Sequence, residues 1–199
     1  MESATRTEDT RALLLRSALL CFAEHGFEGT SIRKIATRAG LSLGLLYHYF
    51  PSKEALLQAL FAQSVELIQG CFLEVAEEQD PRRRLELLLR VSFRVMKEHR
   101  DFYRVSYGVR MQPGVVAGLS EQILLWNTAL HDQFLELLEA AAVPDASTRA
   151  FLLISALDGA CQQYVLHPDF FPLDAVGELL LQDLFSSLPL VDHEPSASC

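Results

Sequence analysis

Apolar residues recur along this chain at three- and four-residue spacing, the interval that lines one face of an α-helix. No stretch alternates as a half-buried strand would. Thr7 to His25 carries Leu15, Leu19, Phe22 and Ala23 on one stripe and is closed by Gly26. Ile32, Ile35, Ala36 and Ala39 mark a second helix behind the cap-type residues Thr30 and Ser31. Gly40 ends it, Ser42 caps a third from Leu43 to Phe50, and Pro51-Ser52 starts a fourth that runs to about Glu78. Asp80-Pro81 opens a fifth, with Leu85, Leu88, Leu89, Ser92, Phe93 and Met96 on its apolar face. Helical patterns follow at 101–110, 116–142, 147–166 and 174–188, separated by Pro113, Pro144, Pro168 and Pro172. The pattern predicts an all-α fold of about nine helices. It divides into a three-helix headpiece over 1–53, a helical body over 54–190 and a flexible polar tail over 191–199.

Within the headpiece, residues 30–54, TSIRKIATRAGLSLGLLYHYFPSKE, have the order of a helix-turn-helix. Two short helices around a glycine-containing turn place the second helix in the DNA major groove. Here Leu46, Phe50 and part of Tyr49 turn inward, leaving Leu43, Gly44, Leu45 and His48 outward. Leu43 and Leu45 cannot hydrogen-bond a base but can touch a thymine methyl, and His48 can donate to a base edge or a phosphate. Gly44 costs about 1 kcal/mol relative to Ala inside a helix, and a DNA strand close to the backbone explains it. Thr30 and Ser31 can offer backbone N–H groups to phosphate, Arg33 can reach a guanine or the backbone, and Ser42 sits at the head of the recognition helix.

A net charge of −9 argues against nucleic acid until its distribution is read. Residues 1–50 hold six Arg/Lys against five Asp/Glu, whereas 51–199 hold eleven against twenty-one. Residues 30–54 set Arg33, Lys34, Arg38 and Lys53 against Glu54 alone, a basic patch on an acidic body. No uninterrupted apolar run approaches the ~18 residues of a membrane span. The start, MESATRTEDTR, has no signal-peptide core. A cytoplasmic protein with no membrane partner is expected. Cys21, Cys71, Cys161 and Cys199 are far apart, so buried free thiols are expected rather than disulfides or zinc. No two histidines lie at i, i+4 and none has Glu three residues before it, which leaves no helical metal motif. Gly40-Leu41-Ser42-Leu43-Gly44 matches the nucleophile elbow in letters, but a basic helical segment precedes it where that elbow needs a strand. No catalytic residue, metal or cofactor is expected.

IRKIATRAGLSLGLLYHYFPSKEAL closely resembles the N-terminal DNA-binding signature of the TetR family of bacterial transcriptional regulators. The resemblance is carried by the IA..AG turn, Gly44, the Leu46-Tyr47 pair, Phe50 and the triplet Ser52-Lys53-Glu54. It is dense over roughly residues 10–60, and beyond them only layout and size are similar. The resemblance implies that the Tyr47 hydroxyl and the Lys53 ammonium bind phosphates. It implies a ligand cavity in the body, whose occupation releases a palindromic operator.

The last two helices are apolar nearly all round, with Phe151, Leu152, Leu153, Ile154, Leu157 and Val165 on one and Val176, Leu179, Leu180, Leu181 and Leu184 on the other. A helix apolar on every side must be buried on every side. A partner subunit seated on residues 147–188 explains the surplus face, and in the resembled family these helices form a four-helix dimer interface. Ala156, Gly159 and Ala160 allow close approach. For the cavity, Phe93, Met96, Tyr103, Tyr107 and Trp126 are candidate walls, with Asn127, His131 and Gln162 as polar anchors. Apolar walls with sparse anchors suit a small hydrophobic or aromatic effector. The expected protein is a homodimeric repressor of double-stranded DNA. The competing reading, a small-molecule-binding or enzymatic bundle with a vestigial headpiece, needs catalytic pairs that are not found. An effector-independent regulator fits the sequence equally.

Overall fold

The structure, a computed structural model, describes residues 2–110 and 113–186, with side chains at 9–108 and 119–186. Among the described residues there are nine helices and no strand. They are α1 (Glu2–His25), α2 (Ile32–Ala39), α3 (Leu43–Tyr49), α4 (Lys53–Glu74), α5 (Pro81–Glu98), α6 (Arg100–Arg110), α7 (Pro113–Ala140), α8 (Ala146–Leu166) and α9 (Leu173–Ser186). The expected tail at 191–199 lies outside the described residues.

The helix starts follow from their caps. Ser31, Ser42 and Ser52 each stand in extended backbone, and their hydroxyl oxygens accept from the N–H of Lys34, Leu45 and Ala55. Asp80 accepts from Arg82 at 2.8 Å and Arg83 at 3.1 Å, with Pro81 at the first helical position. Gly40 has φ 67°, the left-handed conformation that closes α2. Two expected boundaries change. α4 ends at Glu74 rather than near Glu78, because the chain turns at Val75, whose carbonyl accepts from Glu78 N–H. Pro113 begins α7 instead of merely ending α6.

Two hydrophobic cores form. The headpiece core gathers Leu14, Ala18 and Phe22 of α1, Ile35 and Ala36 of α2, and Leu46 and Phe50 of the α3 segment. It also takes Leu56, Leu57 and Leu60 of α4, Phe102 and Val105 of α6, and Leu119 of α7. The body core gathers α5, α7, α8 and α9, with Cys71 from the far end of α4. So α4 is built into both cores, and α6 packs its Phe102–Val105 side onto the headpiece. By length and composition α4 could also cross a membrane, with a mean hydropathy of 1.3 over eighteen residues of which 22% are buried. Its apolar residues are instead seated at either end in the two cores, and Gln58, Gln63, Glu66 and Gln69 interrupt it.

α5 and α9 are strapped by Arg90, which pairs with Glu178 and Glu86, and by Lys97 with Asp174. These pairs are exposed and each contributes little. Beneath them Phe93 packs on Gly177, where a Cβ would lie 3.1 Å from two ring carbons. On α8, Leu152, Ala156, Gly159, Gln163 and Leu166 lie four and three residues apart in alternation, which puts them on one helix face. None of the five is buried, and Leu152 is 63% exposed. Phe151 of α8 and Leu179 of α9 are also exposed. Cys21, Cys71 and Cys161 are buried and form no disulfide among the described residues, as expected.

Candidate nucleic-acid interface and body cavity

α3 is anchored from below. Leu46 is fully buried and Phe50 nearly so, which fixes the helix rotation. Gly44, Leu45, Tyr47 and His48 are exposed and Leu43 is half-buried, matching the outward set read from the sequence. An added Cβ at Gly44 would meet nothing within 4 Å, so no group of this chain requires glycine there. The reason for it lies outside the protomer or in the helix itself.

The flanking polar residues divide into two groups. Ser31 and Ser42 are exposed caps whose hydroxyl oxygens accept from backbone, and each keeps its own proton to donate. Arg33 is exposed and has no ion pair among the described residues. The rest of the basic patch is engaged. Arg38 makes a two-pronged pair with Glu24, at 2.6 and 2.7 Å, and locks α2 to α1. The Arg38 guanidinium holds the Glu24 carboxyl below its usual range, and the pair pushes Arg38 up. Lys34 Nζ reaches the Gly29 carbonyl at 3.3 Å.

Two expected phosphate ligands are seated differently. Thr30 is buried; its hydroxyl points at the carbonyls of Cys21 and Gly26, at 3.0 and 2.7 Å, and its N–H donates to Phe27 O. Both of its donors are therefore spent inside the protein, stitching the end of α1 to the start of α2. The N–H groups that the first turn of α2 leaves unused belong to Ile32 and Arg33. Lys53 donates to Phe27 O at 2.9 Å, sits over the Phe27 ring at 4.2 Å and lies 3.8 Å from Glu28. Its ammonium clamps the start of α4 to the α1–α2 connection.

In the body, a cavity of about 360 Å³ opens between α4, α5, α6, α7 and α8. Met96, Tyr103, Tyr107, Trp126 and Asn127 line it as expected. Three expected residues do not. Phe93 faces α9 and Gly177. His131 stacks on Phe151 at 4.2 Å, with its ring nitrogens 3.3 Å from Asp132 and from the Ser147 carbonyl. Gln162 is exposed on α8. The reading missed Phe61 and Phe72, the four serines at 64, 92, 106 and 155, and Asp158. Phe72 and Phe134 meet edge to face, with centroids 5.4 Å apart. Burial pushes the Tyr103 phenol and the Cys71 thiol up, so both are neutral at physiological pH.

Comparison with known proteins decides what the headpiece is. Residues 14–60 match the family described as bacterial regulatory proteins, tetR family. Residues 14–60 are a DNA-binding segment of the TetR family. The HTH-type transcriptional regulator UidR of Escherichia coli (strain K12) is 40% identical over 73 residues, 37% of this chain and 37% of UidR. The chain thus spans little more than a third of such a curated relative. A TetR transcription regulator from Haloarcula marismortui superposes with a TM-score of 0.78 at 21% identity, covering 92% of this chain and 100% of that one. FadR from Bacillus subtilis, solved in complex with stearoyl-CoA, superposes with a TM-score of 0.73 at 20% identity, over 89% and 99%. At that identity the TetR-like solved structures establish the all-α fold, body included.

Proposed function

We propose that this chain is a cytoplasmic, homodimeric transcriptional repressor of the TetR family that a small hydrophobic or aromatic ligand releases from a palindromic operator. The observation that carries the DNA reading is α3. Its inner side is fixed by Leu46 and Phe50, while Leu45, Tyr47 and His48 stand exposed around a glycine with open space above it. Leu43 and Leu45 meet thymine methyls, His48 a base edge or phosphate, and Tyr47, Ser31, Ser42 and Arg33 the backbone. Lys53 and Thr30 act by holding the helices in register. The uncovered α8 face around Leu152 and Gly159, with Leu179 of α9, supports dimerisation, since surplus apolar surface of this kind marks an interface. A two-fold dimer pairs two recognition helices with two half-sites.

The cavity supports the ligand. It touches α4, and α4 is built into both cores. A ligand that fits best when α4 is displaced draws the population toward wrongly spaced headpieces. The test is selection of purified protein on random duplexes at two salt concentrations. A recovered palindrome whose binding weakens steeply with salt is expected. No enrichment at either concentration overturns the reading.

A further inference from the structure

The hydroxyls that line the cavity are not equivalent. Ser64 Oγ donates to the Phe61 carbonyl at 2.6 Å and Ser92 Oγ to the Leu88 carbonyl at 2.8 Å, so both protons are held by their own helices. The Tyr107 hydroxyl donates to Asp158 Oδ1 at 2.7 Å. The Tyr103 hydroxyl makes no hydrogen bond among the described residues, and neither does that of Ser106, three residues on along the same face of α6. The Tyr103 hydroxyl is not sealed in a core either. Among the described residues, the buried polar side-chain atoms without a partner are Arg84 Nε, Arg100 Nε and Gln133 Oε1. It therefore touches open space, and the open space that Tyr103 lines is the cavity.

The Tyr103 ring is fixed in place. It packs against both hydrophobic cores and meets Phe102 edge to face, with centroids 5.7 Å apart. Burial, then the neighbouring Cys161 and Cys71 thiols, pushes its phenol up. The group is a neutral O–H donor in a poorly solvated place.

We propose that Tyr103 is the polar anchor of this cavity and donates to the carbonyl-type oxygen of an otherwise apolar ligand. This rests on the ligand-binding reading of the cavity above. A half-buried hydroxyl without an acceptor forgoes the hydrogen bond that water gives it in the unfolded chain, and a ligand oxygen restores that bond. A ligand of the same shape without the oxygen leaves the hydroxyl unpaired, so the site discriminates between the two. Phe61, Phe72, Trp126 and Phe134 supply apolar wall for the rest of the molecule. Ser64 and Ser92 cannot replace Tyr103, since their protons are spent. Asn127 and Ser155 are exposed and keep water as a partner. Because Tyr103 packs against both cores, the ligand oxygen is read at a residue that headpiece and body share.

The test uses two compounds of one shape, 4-tert-butylcyclohexanone and 1-tert-butyl-4-methylenecyclohexane, which differ by an oxygen against a methylene group. Each is titrated into the full-length protein and its Tyr103→Phe variant at neutral pH. Trp126 is the only tryptophan and lines the cavity, so its fluorescence reports occupancy, and the melting midpoint gives a second reading. Tyr103→Phe should weaken the ketone about five- to tenfold. It should leave the hydrocarbon within about twofold, which also shows that the variant is folded. Equal weakening of both compounds, or an unchanged ketone, overturns the Tyr103 proposal and leaves the cavity as a ligand site. No fluorescence change and no rise in melting midpoint with either compound in the parent protein overturns both.

Discussion

Lys53→Met is the perturbation that best separates the geometry of this headpiece from a generic phosphate contact. Methionine keeps an unbranched stem and removes the ammonium. That ammonium makes a charge-assisted hydrogen bond to Phe27 O at 2.9 Å and covers the Phe27 ring at 4.2 Å. The Lys53 side chain is only 18% exposed, so solvent screens these contacts incompletely. A hydrogen bond to a charged group is worth ~1.5–3 kcal/mol, and a cation over a ring ~0.5–1 kcal/mol at exposed sites. The methionine stem recovers part of the apolar contact, and Glu28, 80% exposed, loses little. The net expectation is a loss of about 1–2 kcal/mol in the free protein, a shift in the urea midpoint at unchanged m-value. The slope of log affinity against log salt for an operator should barely change, because the charge was spent inside the protein. If Lys53→Met is as stable as the parent while the salt slope falls by about one phosphate contact, the ammonium binds DNA and the clamp described here is refuted.

Other substitutions probe other parts. Gly44→Ala should raise stability by about 0.5–1 kcal/mol, because its Cβ meets nothing within 4 Å, while weakening duplex binding; melting and mobility-shift assays on one preparation read both. Gly177→Ala should cost about 1 kcal/mol by overpacking, since its Cβ lies 3.1 Å from the Phe93 ring, and Phe93→Leu should relieve most of that cost in the double variant. The Glu24 carboxyl is depressed by Arg38, so its contribution is present above the usual carboxylate range and lost as pH falls through the depressed folded value. Urea midpoints of the parent and Glu24→Gln should therefore converge as pH falls below the usual carboxylate range, and a gap that stays constant from neutral pH down would disprove the linkage.

Much of the headpiece was legible because its signals are local. A cap three residues from its acceptor, a glycine at a helix end and an apolar residue four from the next are all visible in one dimension. The seats of Thr30 and Lys53 were not, since Lys53 meets a carbonyl 26 residues away and Thr30 is buried by the chain folding back on α1. In the body the helices were legible but their mutual rotation was not. Phe93 and Met96 lie three residues apart on one apolar face of α5, yet Met96 lines the cavity and Phe93 faces Gly177 on α9. The face is wide enough to serve both neighbours, and only the neighbours divide it. The serines of the wall were hidden for a related reason. Ser64 and Ser92 sit within apolar stripes, where a hydroxyl that donates to its own helix counts as nearly apolar toward the backbone and as an acceptor toward the interior.

That last point bears on how such a body can be tuned without being redesigned. The apolar stripes of α4, α5 and α8 are needed for the body core, and changing their large residues costs packing. Serines in the cavity wall are under less constraint, because their hydroxyls are satisfied by their own backbones. The lining can therefore shift by exchanging Ser64 or Ser92 while Leu88, Leu89 and Leu138 keep the body folded. The headpiece follows the opposite logic. Leu46 is fully buried and the caps fix its helices, so the scaffold is constrained, and variation is freest at Leu45 and His48, which stand exposed, whereas half-buried Leu43 packs against the headpiece core. The family match lies where the scaffold dictates residues, over 14–60, whereas a body can be lined in many ways at equal stability.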